Sequence, residues 1–372
     1  VTLPLITLLL TTALVTAVWR ALPALARPAL PFGVAVPPDR IDDPAVNRAR
    51  GGFGRTVLAA GVAVTSVAIP LALFVDAESV VAGAVTVLVL ADTAAYLVAG
   101  RRVRAAKRAG DWYAGAKQAV TADLGFRTDP VRVPWRWIAP AVVVTVATAA
   151  IGLARAGSLP DTLPGLDGLT LDGGPRVPTG FWTAAGPVLA QLAITLAVPL
   201  LLSAIVRARP EIDAARPADS ARRYRIYLRG LANLILLTAA CANLTLLGVA
   251  LRLWELVQAS IPVTIVIVAP LLAAAVASVV FELRVGAGGH RLPGDAAEET
   301  GLVQRDDDRH WHLGGFVYAN RSDPAVLVHQ RAGGSQWTIN FGHPVGWGIG
   351  VVLAVTVLAS IGAAVLDLEL SG

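Results

Sequence analysis

Apolar and polar positions alternate in long blocks along this chain. Eight apolar stretches cover roughly residues 3–19, 57–75, 80–98, 137–154, 181–206, 231–251, 261–280 and 345–366. At about 1.5 Å rise per residue, each is about long enough to cross a hydrocarbon core of about 30 Å as a helix. The pattern predicts an all-α membrane protein of about eight transmembrane helices. Only residues 76–79 separate helices two and three, which demands a tight antiparallel hairpin, and residues 252–260 pair helices six and seven similarly. Five regions follow: a three-helix N-terminal part with proline-rich and basic loops (1–136), a helix pair with an extended loop (137–206), a second pair (207–283), a polar linker with strands (284–344), and a last helix with its tail (345–372). Prolines 187 and 199 in helix five, and 262 and 270 in helix seven, predict kinks.

Charge adds sidedness. Of the 31 Lys and Arg residues, 28 fall in alternate gaps, those after the first, third, fifth and seventh stretches; the other gaps hold only Arg155, Arg176 and Arg252. Cytosolic loops retain Lys and Arg, so the N- and C-termini are both expected outside. The first stretch competes with a signal peptide cleaved after Ala24-Leu25-Ala26. No basic residue precedes Arg20, however, and cleavage would strand six arginines on the wrong side, so a reverse anchor is the expectation. A mean hydropathy of +0.64 with 55% hydrophobic residues excludes an ordinary soluble domain. The net charge of +5 is spread over membrane-flanking segments, which makes the lipid bilayer the expected partner rather than nucleic acid. The single cysteine, Cys241, can form no intrachain disulfide.

Little catalytic chemistry is written in the chain. No His-Glu-x-x-His, Gly-x-Ser-x-Gly or phosphate-cradling loop occurs, so no enzyme, catalytic residue, cofactor or metal is expected. Within the apolar stretches Asp92 alone is a carboxylate, about 9 Å from the end of its stretch, with Arg101 and Arg102 near enough to snorkel toward it. A helix-packing hydrogen bond is the plainer reading of Asp92; a place on a substrate path is the sharper one. Asn233, Asn243 and Gln191 read as polar glue between helices. All five histidines, His290, His310, His312, His329 and His343, lie in 284–344; their spacing matches no standard zinc pattern. The Asp306-Asp307-Asp308 triplet reads as a solvated linker. Arg101, Arg104 and Arg108 read as a solvated helical extension, and Asp43-Pro44 as the opening of a short separate helix.

Two extramembrane pieces carry more information. The loop between helices four and five runs Leu159-Pro160-Asp161-Thr162-Leu163-Pro164, then Gly-Leu-Asp repeats to Gly174-Pro175, and predicts turns and extended backbone. It resembles a bacterial membrane-protein family that includes SdpI-type toxin-immunity proteins, whose loop has the form Leu-Pro-x-x-Val/Ile-Pro-x-His. Leu166 and Arg176 stand where that family has His and Asp, so the roles of those two residues do not carry over. In the second piece, residues 313–318, 325–331 and 337–341 read as three strands of a small β-meander before the last helix. The run Trp311, Tyr318, Asn320, Asp323, Arg331, Trp337, Asn340 and Pro344 resembles a small domain of unknown function near the C-terminus of related multipass bacterial proteins.

These resemblances imply a bacterial cytoplasmic (inner) membrane location and a role in signalling or toxin immunity. The outer loop, with Pro160, Asp161 and Pro164, and the cytosolic meander are then contact surfaces, for an extracellular peptide or toxin and for a cytosolic regulatory protein. The alternative is a transporter or exporter subunit using Asp92 and the kinked helices five and seven. Ala82–Ala84 and Ala273–Ala275 permit oligomers without demanding them.

Overall fold

A computed structural model describes residues 2–121, 125–166, 170–295 and 298–371; side chains 2–4, 127, 361 and 363–371 are left undescribed. Its helices are α1 (Thr2–Leu25), α2 (Pro44–Leu71), α3 (Ala77–Ala109), the single turn α4 (Gly125–Thr128), α5 (Ala139–Arg155), α6 (Phe181–Arg207), α7 (Pro217–Leu253), α8 (Ile261–Arg284) and α9 (Pro344–Ser371). Seven of them are long and apolar enough to cross a membrane; the eighth expected stretch lies on α9, counted only to Ser360 as a shorter apolar helix. The chain is an all-α multipass membrane protein, and most of its exposed Leu, Val and Ile side chains lie on these helices, where lipid takes the place of water.

Helix starts follow capping chemistry. Asp43 accepts the N–H of Ala45 at 2.8 Å with Pro44 in the first helical position, Asp76 accepts that of Ser79 at 2.8 Å, and Ser260 caps α8. The Asp43-Pro44 helix is thus not a separate element: it runs unbroken into the second span. Likewise the basic run after residue 100 continues α3 to Ala109, and Gly110 with left-handed Asp111 (φ 41°) ends it.

The chain falls into two compact units, neither continuous in sequence: residues 1–123, 208–223 and 286–372, and residues 124–207 and 224–285. In the first unit α1, α2 and α3 pack together. The buried face of α3 is a stripe at three- and four-residue intervals: Val80, Ala84, Leu88, Asp92, Tyr96, Gly100, Val103 and Lys107. Strands here are short pairs: β1 (Gln118–Ala119) parallel to β4 (Val303–Gln304), β5 (Trp311–His312) with β6 (Val317–Tyr318), and β7 (Leu327–His329) with β8 (Trp337–Ile339). The 311–341 segment is therefore two antiparallel pairs joined by a Tyr318–Asn340 bridge, not one three-stranded ladder. The reason is local: Leu313, Gly314 and Gly315 all take left-handed φ, so the first expected strand begins as a turn and only Val317–Tyr318 of it is a strand, paired back on Trp311–His312.

That glycine turn docks on the proline-rich loop. Phe32, Val34 and Val36 are buried, and a Cβ at Gly33 (φ 75°) would strike the Gly314 carbonyl. Phe32 sits among Phe53, Tyr96 and Phe316, with edge-on ring pairs 5.3–5.9 Å apart, and the Tyr96 hydroxyl donates to the Ala332 carbonyl at 3.0 Å. Gly33→Ala forces both an unfavourable backbone and a backbone clash, so a loss of at least about 1–2 kcal/mol is expected. Gly51→Ala, in an open helical position, should be neutral or gain about 0.5–1 kcal/mol. Thermal midpoints of the two variants in micelles check the contrast.

In the second unit α7 meets α8 closely: a Cβ at Gly248 would contact Ile267. The 159–180 loop forms an antiparallel pair, β2 (Thr162–Gly165) with β3 (Gly174–Pro178), and its Asp167–Leu169 repeat lies outside the described residues.

Candidate functional site

Asp92 occupies the middle of the buried stripe on α3, one turn from Leu88 and one from Tyr96. It is fully buried, and neither carboxylate oxygen has a hydrogen-bond partner among the described residues. Arg101 and Arg102, the expected snorkelling partners, are exposed instead. A polar pair of α1 and α2, Thr12 and Thr65, is closed on itself, the Thr65 hydroxyl donating to that of Thr12 at 3.1 Å and Thr12 donating to the Leu8 carbonyl. No packing hydrogen bond therefore explains this carboxyl. A charge there costs several kcal/mol, and a proton, metal ion or ammonium that reaches it removes that cost.

The second unit holds a contrasting polar core. The Asn243 amide donates to the Ala141 carbonyl (3.2 Å), Thr145 (3.0 Å) and Thr195 (2.9 Å); the Gln191 amide donates to Thr148 (3.0 Å) and the Asn243 carbonyl (2.8 Å). This lattice ties α5, α6 and α7 together, the polar glue expected of Asn243 and Gln191.

The C-terminal candidates turn inward. The Asn340 amide donates to the carbonyls of Asn320, Asp323 and Ala325, and its oxygen accepts the N–H groups of Asn320 and Gly342. Asp323 accepts from the Tyr318 hydroxyl at 2.8 Å and from Arg209 at 2.6 Å. Trp311 packs on Tyr318, and Trp337 on His329, with ring centroids 4.8 and 5.0 Å apart. The structure thus gathers Trp311, Tyr318, Asn320, Asp323 and Asn340 around one turn, where Asn320, Asp323 and Asn340 brace the backbone.

Arg331 leads to residues the sequence reading passed over. It is 5% exposed, pairs with Asp307 and with Asp308 (2.9 Å), and lies over the Trp311 ring at 4.8 Å. Lys107, 6% exposed, reaches Asp306 (2.8 Å) and Asp308 (2.7 Å), and Asp308 also accepts the Ala35 N–H at 3.0 Å. The acidic triplet is not a solvated linker: it is a clamp that binds α3, the proline-rich loop and the strand pairs. The readable signal was Lys107 on the same stripe as Leu88 and Tyr96.

Beside this clamp Arg27 pairs with Glu211 at 2.6 Å. Burial raises the Glu211 pKa, but the charges of Arg27, Arg331 and His329 outweigh it and hold the carboxyl down at about 2. Burial, seconded by Arg27, pushes His329 down to about 3. Both shifts favour the folded state at neutral pH: His329's contribution is lost as pH falls from 6.5 toward 3, and Glu211's as it falls from 4.5 toward 2. Acid titration of wild type should show stability falling already below pH 6.5, and His329→Gln should flatten that upper part. An equal slope in both would exclude His329 as its source. Among the described residues no three His, Cys, Asp or Glu side chains gather as a metal site.

The 159–180 loop is anchored rather than free. Leu163 is buried with Leu253 and Trp254, and Leu166 packs against them. Arg176 reaches Glu255 at 2.8 Å and Thr162 at 2.9 Å. Pro164 is buried, Pro160 half-buried and Asp161 exposed. No family model, curated protein or solved structure matches the chain.

Proposed function

We propose that the protein is a cation- or proton-linked transporter or exporter component whose exchanging group is Asp92. A single observation carries this reading: a carboxyl fully buried between membrane helices, with no hydrogen-bond partner for either oxygen among the described residues. Intramembrane carboxylates of this kind serve ion and proton pathways. The spread of arginines supports an orientation in a bacterial inner membrane with the Lys107 end of the stripe toward the cytosol and both termini outside.

Dicyclohexylcarbodiimide, an apolar reagent for protonated carboxyls, tests the assignment in membranes. Asp92 should be labelled, and the labelling should slow as sodium, potassium or pH is raised. Labelling insensitive to all three would count against exchange at this residue.

A second reading, SdpI-like immunity or signalling, draws support from the 159–180 hairpin, which presents exposed Asp161 and Val177 on an anchored frame. Its partner is an extracellular peptide or toxin. Asp161→Lys should then abolish the rescue of a deletion strain's toxin sensitivity; full rescue would remove this reading. A cytosolic regulatory protein finds less support, because Trp311, Tyr318, Asp323, Arg331 and Asn340 are buried by their own chain.

A further inference from the structure

At one end of the α2–α3 hairpin, Arg102 of α3 crosses to α2 and brings Nη1 to 3.6 Å from where a Cβ of Gly52 would be. Arg48 and Arg55 lie four residues before and three after Gly52, one turn away on the same face of α2. All three arginines are exposed, and none forms an ion pair with a carboxylate among the described residues. Arg48 uses Nε on the Pro44 carbonyl at 3.2 Å, which leaves its terminal nitrogens available.

The depth is that of headgroups. Arg55 stands two residues before the apolar stretch at 57–75, and Arg102 four residues beyond the one at 80–98, so both lie about 3–6 Å outside it along their helices. The helix here also carries three glycines, Gly51, Gly52 and Gly54. Each costs about 0.5–1 kcal/mol relative to alanine in a helix interior, and among the described residues no neighbouring segment comes within 4 Å of a Cβ at 51 or 54. Packing inside the protein does not require them there. A bare backbone ringed by unpaired guanidinium groups suits a tetrahedral anion, which arginine grips through paired N–H donors.

We propose that Arg48, Arg55 and Arg102, arranged about the Gly52 notch, bind the phosphate of an anionic phospholipid. The lipid is favoured over a free anion because the apolar stretch begins at Val57, about a turn and a half from the notch, where acyl chains would lie. The site is separate from Asp92 and stands whether or not the protein transports anything.

The test uses the full chain in micelles, titrated with dioleoyl phosphatidylglycerol or dioleoyl phosphatidylcholine and read by native mass spectrometry. Wild type should retain phosphatidylglycerol preferentially. The Arg48→Gln, Arg55→Gln, Arg102→Gln triple variant should bind it at least tenfold more weakly, with phosphatidylcholine unaffected. Gly52→Leu keeps every charge, favours the helix and fills the notch, so it should show the same loss and decides the matter if the triple variant misfolds. Equal retention of the two lipids by wild type, or unchanged phosphatidylglycerol binding in Gly52→Leu, would overturn the proposal. Displacement by millimolar inorganic phosphate would overturn the lipid assignment in favour of a soluble anion.

Discussion

Arg331→Met should release the proline-rich loop and the strand pairs from the end of α3. The buried guanidinium holds Asp307 and Asp308 and covers Trp311; without it Asp307 loses the cation it pairs with and Asp308 is left with Lys107, which Asp306 shares. Breaking one side of a buried ion pair costs about 3–5 kcal/mol, far more than the intact pair contributes relative to an apolar substitute. Limited proteolysis in micelles should then cut between residues 284 and 344, where wild type resists. Arg331→Lys should fail as well, since an ammonium cannot span both carboxylates as the planar fork does. Adding Asp307→Asn and Asp308→Asn to Arg331→Met should restore part of the resistance, because the stranded charges are gone. Unchanged protease resistance in Arg331→Met would show that the clamp contributes nothing.

Asp92→Leu should move stability the other way. An unpartnered buried polar group costs about 1–3 kcal/mol, and a leucine would extend the stripe formed by Leu88 and Val103 without a polar group to hide. The thermal midpoint in micelles should rise by several degrees while transport is lost, the opposition expected where a fold carries a costly group for its function. A lowered midpoint would mean that Asp92 holds the bundle together.

The helices were legible because hydropathy and length act locally: each expected stretch falls on a helix, the second running four residues past the end of α2 at Leu71, and Asp43, Asp76 and Ser260 cap three of them. Polar glue was legible too, since Asn243 and Gln191 in apolar runs have few other uses. Pairings across the chain were not. The Asp306–Asp308 run looks solvated until Lys107 and Arg331 are brought to it, and nothing local tells a buried lysine from the exposed arginines 101, 102 and 108 except its place in the stripe. The three-stranded meander failed at Leu313-Gly314-Gly315, where glycine permitted a left-handed turn and the turn found Gly33. Asp92 was visible as an oddity, but only packing shows that both its oxygens lack partners.

The central claim is tested most directly by reconstituting the full chain in liposomes that contain a pH-sensitive dye and imposing sodium or potassium gradients. Wild type should carry protons in response to at least one gradient, and Asp92→Asn should reduce the rate at least tenfold. Equal flux in both proteins, or none in wild type under any gradient, would contradict it.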